Sequence, residues 1–169
     1  MGILPPAYDA VFGTLLVLLA ATAIVEDVRR LTIPNWISIA LVGAFFFYAA
    51  LAQNPPPLLS HMLVAVAVFA LGTLFFVRGW FGGGDVKLFA AVSLWAGPAQ
   101  VLPLAVVMSL VGAVLSLLII ALRAWLRKDH ARAARLPFAA FAIWAEKGVC
   151  PYGVAIGAAT MLTLPARYF

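Results

Sequence analysis

Gly82-Gly83-Gly84-Asp85-Val86-Lys87-Leu88 is the stretch whose reading decides what this chain is. It lies between two long apolar runs, yet it joins three glycines to an acid and a base. An ionised carboxylate at membrane depth costs roughly 3 kcal/mol on insertion scales, so it persists where it faces protein or water and has a task. Glycines free the backbone from helical geometry and let another chain come close. Irregular backbone at membrane depth is tolerated only beside a cavity or packed protein. Asp85 is therefore a candidate functional residue, set against the plainer alternative of a cytoplasmic turn between two helices.

Outward from that stretch, composition fixes the class. With 66% apolar and 10% charged residues over a length of 169, the chain reads as an all-α polytopic membrane bundle, a single integral-membrane domain over residues 1–169. Spans of about 20 residues leave no room for a separate soluble domain. The formal charge of +5 comes from basic residues clustered beside apolar spans, as membrane orientation requires, and no nucleic-acid partner is expected. The lone Cys150 excludes an internal disulfide and a multi-cysteine zinc site. No metal or cofactor is expected. No basic residue precedes the first apolar run, so that run is expected to be a permanent helix and not a cleaved signal.

In order, the first run covers 7–25 and is expected to stop at Glu26-Asp27. Charges and Pro34 make 27–35 a polar loop, since proline disfavours helix at the residue before it. The second span, 36–51, closes at Pro55-Pro56-Pro57, and the third covers 58–77. After Asp85 the apolar run reaches only Ala96 before Gly97-Pro98, which is 11 residues or about 16 Å of helix against a hydrocarbon core of about 30 Å. The run 100–122 is long enough to cross, 138–145 is expected at the interface with Trp144 as its anchor, and 149–164 forms a short last span.

If each of six runs crosses, the short fourth one included, 10 of the 11 basic residues fall on one side and only Arg167 opposite. That side is then cytoplasmic, with both termini outside. The expectation is six transmembrane helices with a short fourth helix following a glycine-rich break. The glycine stretch dips below the cytoplasmic interface, and so does Pro151-Tyr152-Gly153 at the start of the last span. Asp27 ends the first helix on the same side, so two carboxylates 58 positions apart in sequence can meet in one water-filled recess. Close carboxylates in a poorly solvated place share a proton and titrate as a pair, which suits one to act as base on a water and the other as acid toward a peptide carbonyl.

These residues resemble a known family. Gly82-Gly83-Gly84-Asp85 matches the Gly-x-Gly-Asp signature of intramembrane aspartyl proteases. With Asp85-Val86-Lys87-Leu88, with Asp27 ahead of Arg30-Leu31-Thr32-Ile33-Pro34-Asn35, and with the late Pro151-Tyr152-Gly153-Val154-Ala155-Ile156-Gly157, the chain resembles the type IV prepilin leader peptidases. Its small size is similar to the CpaA and TadV branch that serves tight-adherence (Flp-type) pili. The resemblance implies that Asp27 and Asp85 are catalytic, with Gly82, Gly84, Lys87, Pro34, Asn35, Pro151, Tyr152 and Gly153 as motif and site-shaping residues. It further implies cleavage after a glycine, at the cytoplasmic face of a prokaryotic inner membrane, of a short basic leader preceding a hydrophobic pilin helix. Partners would be the prepilin, the bilayer and the pilus assembly machinery. Larger members carry an insert with paired Cys-x-x-Cys motifs and also methylate the new N-terminus; this chain has a single cysteine and no such insert between its first spans, so a peptidase without methyltransferase activity is expected.

Other residues carry plainer readings. Glu26 points about 100° away from Asp27 on a helix and is not expected to take part directly. Lys87 either stabilises charge near Asp85 or anchors its helix. Gly153 and Gly157 permit close helix approach. His61 and His130 are expected to be incidental, Asp129 a solvated charge and Cys150 a packing residue. Two other functions fit an acid pair in a membrane bundle: a small ion or proton channel, which needs acids along a path through the bilayer, and a non-catalytic component of a pilus or secretion assembly.

Overall fold

Helix α1 (Ala7–Arg30) carries the acid Asp27 one turn before its end. The chain does not break at Glu26-Asp27 as expected. Arg30 Nε pairs with Glu26 Oε2 one turn back at 3.1 Å, and Arg29 and Arg30 lie in the last turn, where cations suit the helix dipole. The helix closes at Leu31, whose φ of 53° is left-handed and whose N–H reaches the Asp27 carbonyl at 2.9 Å. Glycine is the usual residue at such a closing position.

The computed structural model describes residues 7–52, 54–126, 144 and 149–164, and among them every regular element is helical. Helix α2 (Asn35–Leu51) starts behind Pro34 and α3 (Leu58–Val77) behind Pro57, each proline standing where its missing N–H costs nothing. Helix α4 (Gly83–Leu126) runs through both expected fourth and fifth spans, with non-helical backbone at Gly97. Helix α5 (Tyr152–Thr163) is preceded by Pro151. The expected interfacial run 138–145 lies outside the described residues except for Trp144, which is buried and not an exposed anchor. Arg127, Lys128, Asp129, His130, Arg132, Arg135, Lys147 and Arg167 also lie outside them.

Gly97 turns α4 back on itself. Its φ of 60° and ψ of −170° form a combination essentially confined to glycine. Val86 and Phe89 before the turn and Met108 and Ser109 after it line one cavity, so the limbs 83–96 and 98–126 lie side by side. The first limb is the centre of the bundle, with Leu88, Val92, Trp95 and Ala96 fully buried. α3 packs along it, α2 packs on it from another side, and α1 and the second limb close the ring around α5.

His61 is part of that turn, contrary to its expected incidental place. It is 2% exposed, stacks on Phe45 with ring centroids 5.6 Å apart, and donates from Nδ1 to the Leu94 carbonyl at 2.8 Å. In a regular helix that carbonyl would accept from the N–H four residues on, which is Pro98 and has none. The His61 ring also fills the space where a side chain on Gly97 would stand. Trp95 Nε1 donates to the Leu41 carbonyl at 2.9 Å and stacks on Tyr48, tying the same end of the first limb to α2.

Three helical segments, Asp9–Arg30, Leu58–Val77 and Gly83–Trp125, are long and apolar enough to cross a membrane, and α2 and α5 are shorter apolar helices. The chain is a helical membrane protein.

Candidate active site

Opposite the His61 end, four chain segments meet: the end of α1, the 31–35 link, the 79–84 link, and the entry to α5. They enclose a recess of about 690 Å³ lined by both Asp27 and Asp85, together with Ile33, Gly84, Cys150 and Tyr152. The two expected acids are thus brought together, although they come from different helices.

Asp85 occupies the third position of α4. Its carboxyl reaches back to the N–H of Gly82, the geometry by which an acid at this position satisfies a donor left free at a helix start. A Cβ on Gly82 would stand 2.7 Å from Asp85 Oδ2, so a side chain there would push the carboxyl from its place.

Asp27 is 4% exposed. Pro151, which precedes α5, offers no capping side chain, and the N–H groups of Gly153 and Val154 point instead at the Asp27 carboxyl. An acid from α1 thereby caps α5, where free N–H groups and the helix dipole favour negative charge. Asp27 Oδ2 is left buried without a hydrogen-bond partner. A buried acceptor with nothing to accept is costly, and this one lines the same recess as Asp85.

Ile33 wedges between the two glycine motifs. A Cβ on Gly84 would stand 3.2 Å from Ile33 Cβ, and one on Gly153 would stand 2.8 Å from Ile33 Cδ1. Gly157 fits against Ile24 and the Ala20 carbonyl, the close approach of α1 and α5 expected from the glycine spacing. Tyr152 packs its ring on Phe81 at 5.2 Å and covers Gly112 of the second limb.

The remaining candidates separate cleanly. Lys87 does not turn to Asp85; its Nζ donates to Asn35 Oδ1 at 3.0 Å. Pro34 precedes α2 and aims Asn35 into the recess. Glu26 is held by Arg30 outside the recess. Cys150 lines the recess and its Sγ accepts from the Ser116 hydroxyl at 3.4 Å. Leu31 and Ile33 were missed as site residues. The position of Ile33 between Pro34 and the charged turn was visible, but nothing local marked its two glycine contacts. Among the described residues, no three His, Cys, Asp or Glu side chains are grouped so as to hold a metal ion.

No curated protein and no solved structure matches the chain. A family model does match, over residues 14–117, a range that takes in Asp27, the Pro34-Asn35 pair and the Gly82–Asp85 motif but stops short of Pro151-Tyr152-Gly153. That range exceeds half of the 169 residues, and the chain belongs to the Type IV leader peptidase family, membrane hydrolases that act on prepilins.

Proposed function

We propose that Asp27 and Asp85 are the catalytic pair of this prepilin peptidase. The observation that carries the reading is the convergence of both carboxyls on one recess, with Asp27 Oδ2 buried and unpartnered. A water between two acids is the partner that oxygen lacks. One carboxylate takes a proton from the water as its oxygen attacks the scissile carbonyl, and the protonated partner gives its proton to the carbonyl oxygen. The tetrahedral adduct then collapses: the C–N bond breaks, the leaving amine takes a proton from the pair, and one hydroxyl of the adduct returns a proton to it as the new carboxyl forms.

The recess faces the cytoplasm. Arg29, Arg30, Arg78 and Lys87 all belong to segments at that end of the bundle, the distribution the positive-inside rule assigns to the cytoplasmic side. The chain crosses the inner membrane six times, the two limbs of α4 counting separately. Its substrate is a tight-adherence (Flp-type) prepilin with a short basic leader ending in glycine, and the product is not methylated. Co-expression with such a prepilin tests the reading: wild type removes the leader, seen as a gel shift, and Asp27→Asn and Asp85→Asn each leave it uncut while accumulating normally. Substantial cleavage by Asp85→Asn would remove the assignment.

A further inference from the structure

A second cavity adjoins the recess. It is a cleft of about 570 Å³ between α2 and α3, with the first limb of α4 as its floor. Both walls pack on α4 and hardly on each other. On α2 the lining residues Asn35, Ser38, Ile39 and Val42 follow the spacing of one helical face, and on α4 Lys87, Ala90, Ala91 and Leu94 repeat it. Seven helical rises from the first lining residue to the last make the cleft about 10 Å long. Asn35 lines the recess as well, so the Asn35–Lys87 hydrogen bond stands where the two cavities join.

One polar group in this apolar cleft has no partner. Thr14, Thr22, Thr73 and Thr160 each return their hydroxyl to the carbonyl four residues back. Ser38 does not: its residue is 9% exposed and its Oγ is buried without a hydrogen bond. It sits one turn beyond Asn35 on the same face of α2.

We infer that this cleft seats the apolar helix of the substrate immediately beyond the scissile bond, an inference that rests on the aspartyl reading of the recess. A chain held with its bond between Asp27 and Asp85 leaves the recess past Asn35 and enters the cleft directly. Ala90 and Ala91 on the floor and Ala65 on the α3 wall are the small residues that let helix backbones approach within a membrane. The first turn of a helix has N–H groups with no internal partner, and in hydrocarbon each must be satisfied. The Asn35 side chain and the Ser38 hydroxyl, a turn apart, are placed to accept them. A lipid chain would fill the apolar walls but would offer Ser38 nothing.

The test uses full-length protein in membranes and a substrate built as a basic leader ending in glycine followed by an apolar helix. A photo-crosslinking residue is placed at Ala65 or Val66 in the Asp85→Asn background, with Leu102, exposed on the second limb, as the control position. The expected adduct joins Ala65 and Val66 positions to the substrate within about two turns of the bond, with none from Leu102. In the active protein, Ala65→Phe fills the cleft and lowers processing roughly tenfold, because binding energy far from the bond is used in the reaction. Val66→Trp, on an exposed face of α3, does the same without burdening the fold, and Leu102→Trp has no effect. Adducts to lipid alone or to a second copy of the chain would overturn the inference. So would normal processing by both cleft-filling variants, which would leave the peptidase reading intact. Failure of wild type to cut the substrate would remove both.

Discussion

Gly153 and Asp27 are in contact across two helices: a Cβ on the glycine would stand 2.7 Å from Asp27 Oδ2 and 3.0 Å from its Cβ. The glycine is thus a condition for the position of the acid, beyond any freedom it gives its own backbone. Gly153→Ala is expected to reduce leader removal by about a hundredfold, the scale on which displacement of a reacting group by 1 Å acts, while the protein still accumulates in the membrane. A gel assay with a co-expressed prepilin, normalised to membrane protein, checks this.

Gly84→Val probes the other side of the same wedge. Its Cβ would already press on Ile33 at 3.2 Å, and branching at that carbon both stiffens the backbone and blocks a substrate strand. Strong loss of cleavage with unchanged insertion is expected. Trimming the wedge in the same chain, with Ile33→Ala, should restore part of the activity; no restoration would mean that crowding at Ile33 is not the cause.

The two aspartates should behave as one unit. Asn at either position keeps shape but cannot exchange the proton, and groups acting together are grossly non-additive. The double variant Asp27→Asn with Asp85→Asn is expected to be no worse than either single one, whereas Glu26→Gln, which removes only the ion pair to Arg30, should keep most activity. Initial-rate measurements on purified variants decide it.

His61→Ala should act on stability and not on chemistry. It leaves the Leu94 carbonyl without its partner, a cost of about 1–3 kcal/mol for a buried polar group, and empties the space beside Gly97. The midpoint of thermal unfolding in detergent should fall, while the cleavage rate per folded molecule stays near wild type. A rate loss as large as that of Gly153→Ala would place His61 in the machinery.

Reporter fusions test the orientation. Activity of an outside reporter after Gln53 and of a cytoplasmic reporter after Arg132 is expected from the one-sided basic residues. An outside signal at Arg132 would remove the six-crossing arrangement.

The sequence disclosed the parts whose signal is local. Asp85 among glycines, Asp27 beside its basic turn, and Pro151-Tyr152-Gly153 could each be picked out where they stand, and one recess draws residues from all three stretches. The reading failed where the cause is tertiary. His61 and Leu94 are 33 positions apart, and only the fold shows that a proline has orphaned the carbonyl the histidine meets. Asn35 and Lys87, 52 positions apart, likewise become partners only once α2 lies along the first limb. The continuation of α1 to Arg30 is hidden because two adjacent acids read locally as a stop, although Glu26 and Arg30 have the spacing that holds a last turn together.

The limb 83–96 has 14 residues, about 21 Å of helix, and it is the one that carries Asp85 and then turns at Gly97. On the proposed reading, a substrate helix lying along it would start several ångströms deeper than the bilayer surface. In the proposed orientation, the peptide bond therefore need not be drawn out of the membrane to be hydrolysed. Solvent descends to it instead, and the short limb measures how far the aqueous phase must reach.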